Sequence, residues 1–356
     1  MTELSEILKN LANENHSDIH FRSQEKIWGR KNGILSPKTE EILTHEDLES
    51  LLNPIIPLFL NTSFNEGNEI DFSYDLGGDF RFRVNIYYDI KGIAACFRVL
   101  PKKIFNVNQL NIEPAIITLC NRKKGLILVT GPTGSGKSTT LASLLDFINL
   151  RRKNHIITIE DPIEYKFKGN NCLINQRELG SHTLSFAKSI RASLREDPDV
   201  LMIGEMRDLE TTSAALEVAE TGHLVFSTLH TNSTASTIYR IINQYPKKKQ
   251  NQIRMFLAST LLCVITQVLI PTKDKKNRVA IKEIMIMNHA IANLIRENKI
   301  HQIDNMIKLN KKSGMISMLD AITNAVEKNI ISSIDALEYS PDPAKLEQIL
   351  SDKGLF

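Results

Sequence analysis

Gly131-Pro-Thr-Gly-Ser-Gly-Lys137-Ser138-Thr139 decides how this chain is read. It fits G-x-x-x-x-G-K-[ST], with Gly131, Gly136, Lys137 and Ser138 at the required positions. The glycines let successive backbone N–H groups turn inward and cradle phosphate oxygens. Lys137 is placed to reach the β- and γ-phosphates of ATP, and the Ser138 hydroxyl to ligate Mg²⁺. The candidate nucleotide-binding set is therefore Gly131, Thr133, Gly134, Ser135, Gly136, Lys137, Ser138 and Thr139. Upstream, Gly125-Leu-Ile-Leu-Val-Thr130 is a short apolar run of strand character, and 138–150 downstream reads as a helix. Strand, glycine loop and helix is the context the motif needs, because the helix N-terminus adds its dipole to anion binding. That context weighs against the plain alternative, a glycine-rich turn with an exposed lysine.

The rest of the composition is ordinary. At 356 residues, 42% hydrophobic and 24% charged, the chain has room for two or three domains and is not built for global disorder. A net charge of +3 argues against a dedicated nucleic-acid binder, although short lysine clusters stand at 247–249 and 273–276. Cys96, Cys120, Cys172 and Cys263 are scattered with no C-x-x-C pair, so neither a zinc site nor a disulfide framework is expected. The acidic-leaning N-terminus is no signal peptide, and no apolar run reaches the roughly 18 residues of a membrane span. The expectation is a cytoplasmic protein whose membrane association comes through a partner.

Residues 1–100 read as a small α+β domain. Leu4, Ile7, Leu8 and Leu11 share one face of a helix over 2–13. Strand alternation marks 17–21, 71–74, 80–86 and 93–99, with turns at Gly77-Gly78 and 89–92, and 38–60 reads as largely helical, broken by Pro54 and Pro57. Residues 101–111 read as a linker. Over 112–356 the pattern changes to buried strands (126–130, 156–159, 200–203, 224–229) alternating with helices (138–150, 183–195, 210–220), which is the signature of a parallel α/β sheet. From Pro246 the chain reads as mostly helical with one strand pair around 269–286.

Three strands of the α/β part end in polar residues, where an open parallel sheet places its chemistry. The first runs into Glu160-Asp161-Pro162-Ile163-Glu164, whose carboxylates suit Mg²⁺ ordering and activation of water, unless they form a solvated acidic loop. The second is followed by Gly204-Glu205-Met206-Arg207. Glu205 is the candidate for holding the Mg²⁺ shell through water, against a purely structural pairing with Arg207. The third is flanked by His223 and His230, either of which can sense a γ-phosphate or simply pack. Phosphoryl transfer also needs added positive charge; Arg81, Arg83, Arg98, Arg191 and Arg195 are candidates that the pattern does not rank.

With these motifs in view, the chain resembles the type IV pilus retraction ATPases of the secretion ATPase superfamily. The resemblance runs from Ser17-Asp18-Ile19-His20 through the phosphate loop and Thr158-Ile-Glu-Asp-Pro-Ile-Glu164. It continues through Asn175-Gln-Arg-Glu178, Gly204-Glu-Met-Arg-Asp208 and Ala219-Glu-Thr-Gly-His-Leu-Val225, as far as His230. It implies an α/β chain with a PAS-like N-terminal domain and a RecA-like P-loop ATPase domain ending in a helical part. It also implies a homohexamer using ATP and Mg²⁺, with an inner-membrane pilus platform protein and a pilus assembly ATPase as candidate partners, and no nucleic acid. Glu164 matches the catalytic glutamate, Glu205 the second carboxylate, and His223 and His230 the histidine box. Arg81, Arg83 and Arg98 match the region that sends charge toward the nucleotide. Ala290-Ile-Ala-Asn-Leu-Ile-Arg-Glu297 resembles a motif of retraction motors but has Ala292 where that motif has arginine.

The reading favoured is a retraction motor, with a related ATPase of pilus assembly or type IV secretion as the alternative. Assembly ATPases usually carry a longer N-terminal extension and a four-cysteine module, and neither is seen here. A nucleic-acid translocase is disfavoured by the charge balance. A non-hydrolysing subunit is disfavoured by the presence of Lys137, Glu164 and Glu205.

Overall fold

A computed structural model of the chain describes residues 3–77 and 80–355, so Thr2 and Gly78 of the expected first helix and first turn lie outside the described residues. The chain divides into two units. One comprises Met1–Lys103 together with Asp161–Lys166 and Glu178–His182; the other comprises Ile104–Glu160, Phe167–Arg177 and Thr183–Phe356.

The N-terminal unit is built on six strands: β1 (Asp18–Arg22), β2 (Trp28–Lys31), β3 (Ile34–Pro37), β4 (Ile70–Asp75), β5 (Arg81–Asp89) and β6 (Gly92–Val99). They pair antiparallel in the order β3-β2-β1-β6-β5-β4. Period-two alternation puts Ile19, Phe21, Phe82, Val84, Ile86, Ala95 and Phe97 on one face, where they form a core with Leu4, Leu8, Leu48, Leu52 and Phe64 of three helices. Phe97 meets Phe21 and Phe82 edge-on, at centroid distances of 5.3 and 6.1 Å, a geometry worth about 0.5–1.5 kcal/mol per pair beyond area burial.

Two expectations need correction here. Residues 38–44 are not helical; the helix spans His45–Leu52, because Thr44 forms a capping box with Asp47 and fixes the start. The strands β2 and β3 go unmarked by alternation, since each is only four residues long. Their turn is Asn32-Gly33, with φ of 53° and 84°, the two-residue hairpin that demands such residues.

The second unit holds β7 (Gly125–Thr130), β8 (His155–Glu160), β9 (Leu173–Glu178), β10 (Val200–Ile203), β11 (Leu224–Leu229), β12 (Leu261–Pro271) and β13 (Arg278–Ile286). The spatial order is β13-β12-β7-β11-β10-β8-β9, with β12, β7, β11, β10 and β8 mutually parallel and β13 antiparallel to β12. Leu126 and Leu128 enter one core while Ile127 and Val129 enter another, so β7 is covered on both faces. This is why β7 and β10 read as near-continuous apolar runs rather than alternating ones, while β11 is apolar but for Ser227 and Thr228.

Here too the structure departs from the sequence reading. The late strand pair begins at Leu261 rather than near 269, because a continuous apolar run does not separate strand from helix. β9 is an edge strand with Leu173 63% exposed, so it carried little apolar signal. Residues of the expected linker also pack: Val107 joins a core of the second unit, and Lys282 Nζ donates to Leu110 O and Asn111 O at 3.1 and 2.9 Å. Among the described residues, no helix is long and apolar enough to cross a membrane.

Candidate active site

Parallel register decides which side chains can meet. Thr130, the last residue of β7, is level with Leu229 of β11 and Thr266 of β12, and Ile203 of β10 is level with Ile159 and Ser227. The segments that follow β7, β10 and β11 therefore emerge at one edge of the sheet. They carry the glycine loop, Glu205 and His230.

The loop folds as its residue types require. Gly134 and Gly136 have φ of 77° and 84°, and a Cβ on Gly131 would stand 2.2 Å from the carbonyl of Gln267. No other residue fits at Gly131. The helix Lys137–Arg151 starts with no side-chain cap, which leaves its first N–H groups for an anion. Lys137 is buried, and its ammonium donates to Gly131 O and Pro132 O at 3.0 Å each, holding it across the loop.

Gln267, which the sequence reading passed over, fastens this loop from below. Its amide donates to Ser135 O at 2.5 Å and its carbonyl accepts from Thr140 Oγ1 at 2.9 Å, all fully or nearly fully buried. Beside it, the Thr130 and Thr266 hydroxyls pair at 2.9 Å. The signal that would have found Gln267 is the polar pair Thr266-Gln267 within the otherwise apolar run Leu261–Pro271, since buried polar groups must find partners. Gln267→Leu keeps the volume but strands Ser135 O and Thr140, so it should cost about 2 kcal/mol or more in urea unfolding. It should also weaken nucleotide binding at least about tenfold. Unchanged nucleotide affinity in a titration would show that Gln267 merely fills space.

Glu205 is held by its backbone. The Thr228 hydroxyl donates to Gly204 O at 2.6 Å, Ser227 to Ile203 O at 2.9 Å, and Gly204 N to Ile159 O at 2.8 Å. One carboxylate oxygen pairs with Arg207 at 2.5 Å. The other is buried without a hydrogen-bond partner, 3.6 Å from His230 Nε2. A buried acceptor left unmet in a polar edge is a natural seat for a cation shell. The His230 imidazole is shifted below its ordinary value, first by burial and then by the Lys137 ammonium, against the opposing pull of Glu205. It is thus neutral at neutral pH.

Not every candidate joins this cluster. His223 precedes β11 at the far end of the sheet, its carbonyl accepting from Gly125 N at 3.0 Å, so the strand separates it from His230 by roughly 20 Å. The three carboxylates at and after the end of β8 also part company. Glu160 stays with the sheet, accepting from Thr158 Oγ1 at 2.6 Å and Gln176 at 3.3 Å, whereas Asp161 and Glu164 belong to the N-terminal unit. Within that unit Arg81 pairs with Glu178 at 2.7 Å, Arg98 with Asp18 at 2.8 Å, and Arg83 with Asp71. Arg191 pairs with Glu210 on the surface.

Comparison with known proteins agrees with this geometry. The chain matches the family of Type II/IV secretion system proteins over residues 2–337. It is 41% identical to the type IV pilus retraction ATPase PilT of Pseudomonas aeruginosa, over 96% of this chain and 99% of that one. It is 32% identical to the type IV pilus ATPase PilU of the same organism, over 95% and 88%. A crystal structure of the pilus retraction motor PilT with bound ADP superimposes with a TM-score of 0.90 at 43% identity, covering 98% of this chain and all of the other. The Legionella pneumophila ATPase DotB does so with a TM-score of 0.79 at 28% identity, covering 94% and 96%. The chain belongs to the Type II/IV secretion system protein family and is a PilT-like, nucleotide-binding ATPase of it.

Proposed function

We propose that this chain is the ATP-hydrolysing motor of type IV pilus retraction, a homohexamer acting at the inner membrane through a pilus platform protein. The observation that carries the proposal is the polar sheet edge with Lys137, Glu205 and His230 side by side, in a chain similar along its whole length to a retraction ATPase. We read the N-terminal unit as the PAS-like domain and the second unit as the RecA-like one.

In this reading the loop amides and Lys137 hold the phosphates. Ser138 and Glu205 would hold Mg²⁺, which would supply positive charge to the phosphate oxygens. The fit rests on the buried, unpartnered Glu205 oxygen. Glu164 orients the attacking water. His230, neutral and within the electrostatic reach of Lys137, would donate an N–H to a γ-phosphate oxygen. Of the N-terminal arginines, Arg83 and Arg98 keep side chains 39% and 63% exposed, Arg83 against the half-exposed Asp71 and Arg98 against the buried Asp18. The exposed Arg83–Asp71 pair is worth about 0–1 kcal/mol. Arg81 is only 15% exposed and buried against Glu178. We therefore assign the charge-supplying role to Arg83 and Arg98. His223 is given no contact with the nucleotide of its own chain.

A related role in pilus assembly or secretion is the second reading, kept open by 38% identity to a type II secretion system protein E of Aeromonas hydrophila over 76% of this chain. Deleting the gene separates the two: losing a retraction motor should leave cells heavily piliated and non-twitching, and losing an assembly motor should leave them bald.

A further inference from the structure

The stretch bearing Glu164 is pinned to the N-terminal unit by one carboxylate. Glu178, 4% exposed, accepts from Ser73 Oγ at 2.7 Å, from Arg81 Nη2 at 2.7 Å, from Ile163 N at 3.0 Å and from Ser181 Oγ at 3.4 Å. Arg81 completes the clamp, because its other terminal nitrogen donates to Ile163 O at 2.5 Å. Both backbone polar groups of Ile163, the residue just before Glu164, are thereby fixed by a single buried ion pair. A second fastener follows two residues later, where Lys166 pairs with Asp75 of β4. Beyond the clamp, Glu178 is secured by its own backbone: its N–H donates to His182 Nδ1 at 3.0 Å, and its carbonyl accepts from His182 N at 2.8 Å.

We propose that Glu178, at the end of β9, and Arg81, at the start of β5, are the positioning pair for Glu164. The proposal rests on the assignment of Glu164 to the attacking water. The physical logic is that a general base must be held within a few tenths of an ångström of its working place. The twelve residues 161–172 between β8 and β9 form neither helix nor strand to do this. A charge-assisted pair, largely withdrawn from water, supplies the rigidity. It also explains why the run Asn175-Gln-Arg-Glu178 ends on a glutamate: Gln176 serves Glu160 and the Phe167 amide, and Glu178 serves Ile163.

The test uses the purified full chain, with amide hydrogen exchange and steady-state ATPase kinetics on Glu178→Ala, Glu178→Gln and Glu164→Gln. In Glu178→Ala, exchange at residues 163–166 should speed at least tenfold while the phosphate-loop helix 137–151 stays as protected as before. Its kcat should fall at least tenfold with the KM for ATP and the affinity for ADP within threefold. Glu178→Gln keeps an oxygen for Ile163 N and should turn over at least threefold faster than Glu178→Ala. Unchanged exchange over 163–166 refutes the clamp. Faster exchange with kcat within twofold of wild type, while Glu164→Gln is inactive, refutes the positioning role alone. A KM that rises with the loss of kcat, together with faster exchange over 137–151, overturns it in favour of general loosening. An active Glu164→Gln defeats the assignment of Glu164 itself, a result read independently of the exchange arm.

Discussion

Glu205→Gln should bind ADP within about threefold of wild type yet turn over ATP about 10²–10³-fold more slowly, the range seen when one transition-state charge contact is removed. Glutamine matches the shape of the residue and keeps an oxygen toward Arg207. The backbone on either side is fixed by Thr228 and Ser227, so the substitution deletes charge and little else. In the proposed reading the oxygen that matters is the buried one without a hydrogen-bond partner, which would hold a cation's water. His230 does not confuse the result. Glu205 pulls its pKa up while burial and Lys137 push it down. Removing the carboxylate leaves the imidazole neutral over a still wider pH range, so no new protonation of His230 can account for lost turnover. Phosphate release under saturating ATP, with a fluorescent-ADP titration alongside, measures both quantities. A kcat within tenfold of wild type would remove Glu205 from the reaction.

What was legible in the sequence and what was not divides along a physical line. The glycine loop and the strands at 125–130, 200–203 and 224–229 were readable because each is fixed by local rules. Gly131 tolerates no side chain, and a strand covered on both faces is predominantly apolar. The hairpin β2–β3 went unread, because its four-residue strands are too short to show alternation and only the turn Asn32-Gly33 signals it. Other features depend on partners far along the chain. Gln267 meets Ser135 across 132 residues, and Arg81 meets Ile163 across 82. No window of sequence shows that Glu160 and Glu164 belong to different units. The histidine box is the converse case. His223 and His230 stand close in sequence, yet the fully extended run Leu224–Leu229 carries them to opposite ends of one strand. Proximity in a motif held for Glu205 and Arg207 and failed for the two histidines.

Lys137→Ala should abolish measurable hydrolysis and weaken nucleotide binding at least about a hundredfold, because charge-assisted hydrogen bonds of about 1.5–3 kcal/mol each are lost from the phosphates. The lysine stands at the first turn of a helix that has no side-chain cap, so the substitution leaves the helix dipole and loop amides intact. Residual weak binding in Lys137→Ala therefore measures what those amides supply alone. The loss should not be a matter of folding. Lys137 donates to Gly131 O and Pro132 O, but the loop keeps its amide bond from Gln267 to Ser135 O, and Gly131 is confined by the Gln267 backbone as well. A fall in unfolding free energy of about 1–3 kcal/mol is the expected limit. Lys137→Arg should not rescue activity: a planar fork is larger than an ammonium and cannot sit 3.0 Å from both carbonyls in the same buried space. Full nucleotide affinity in Lys137→Ala, measured by calorimetry on the folded protein, would move the nucleotide site away from this loop and with it the proposed motor chemistry.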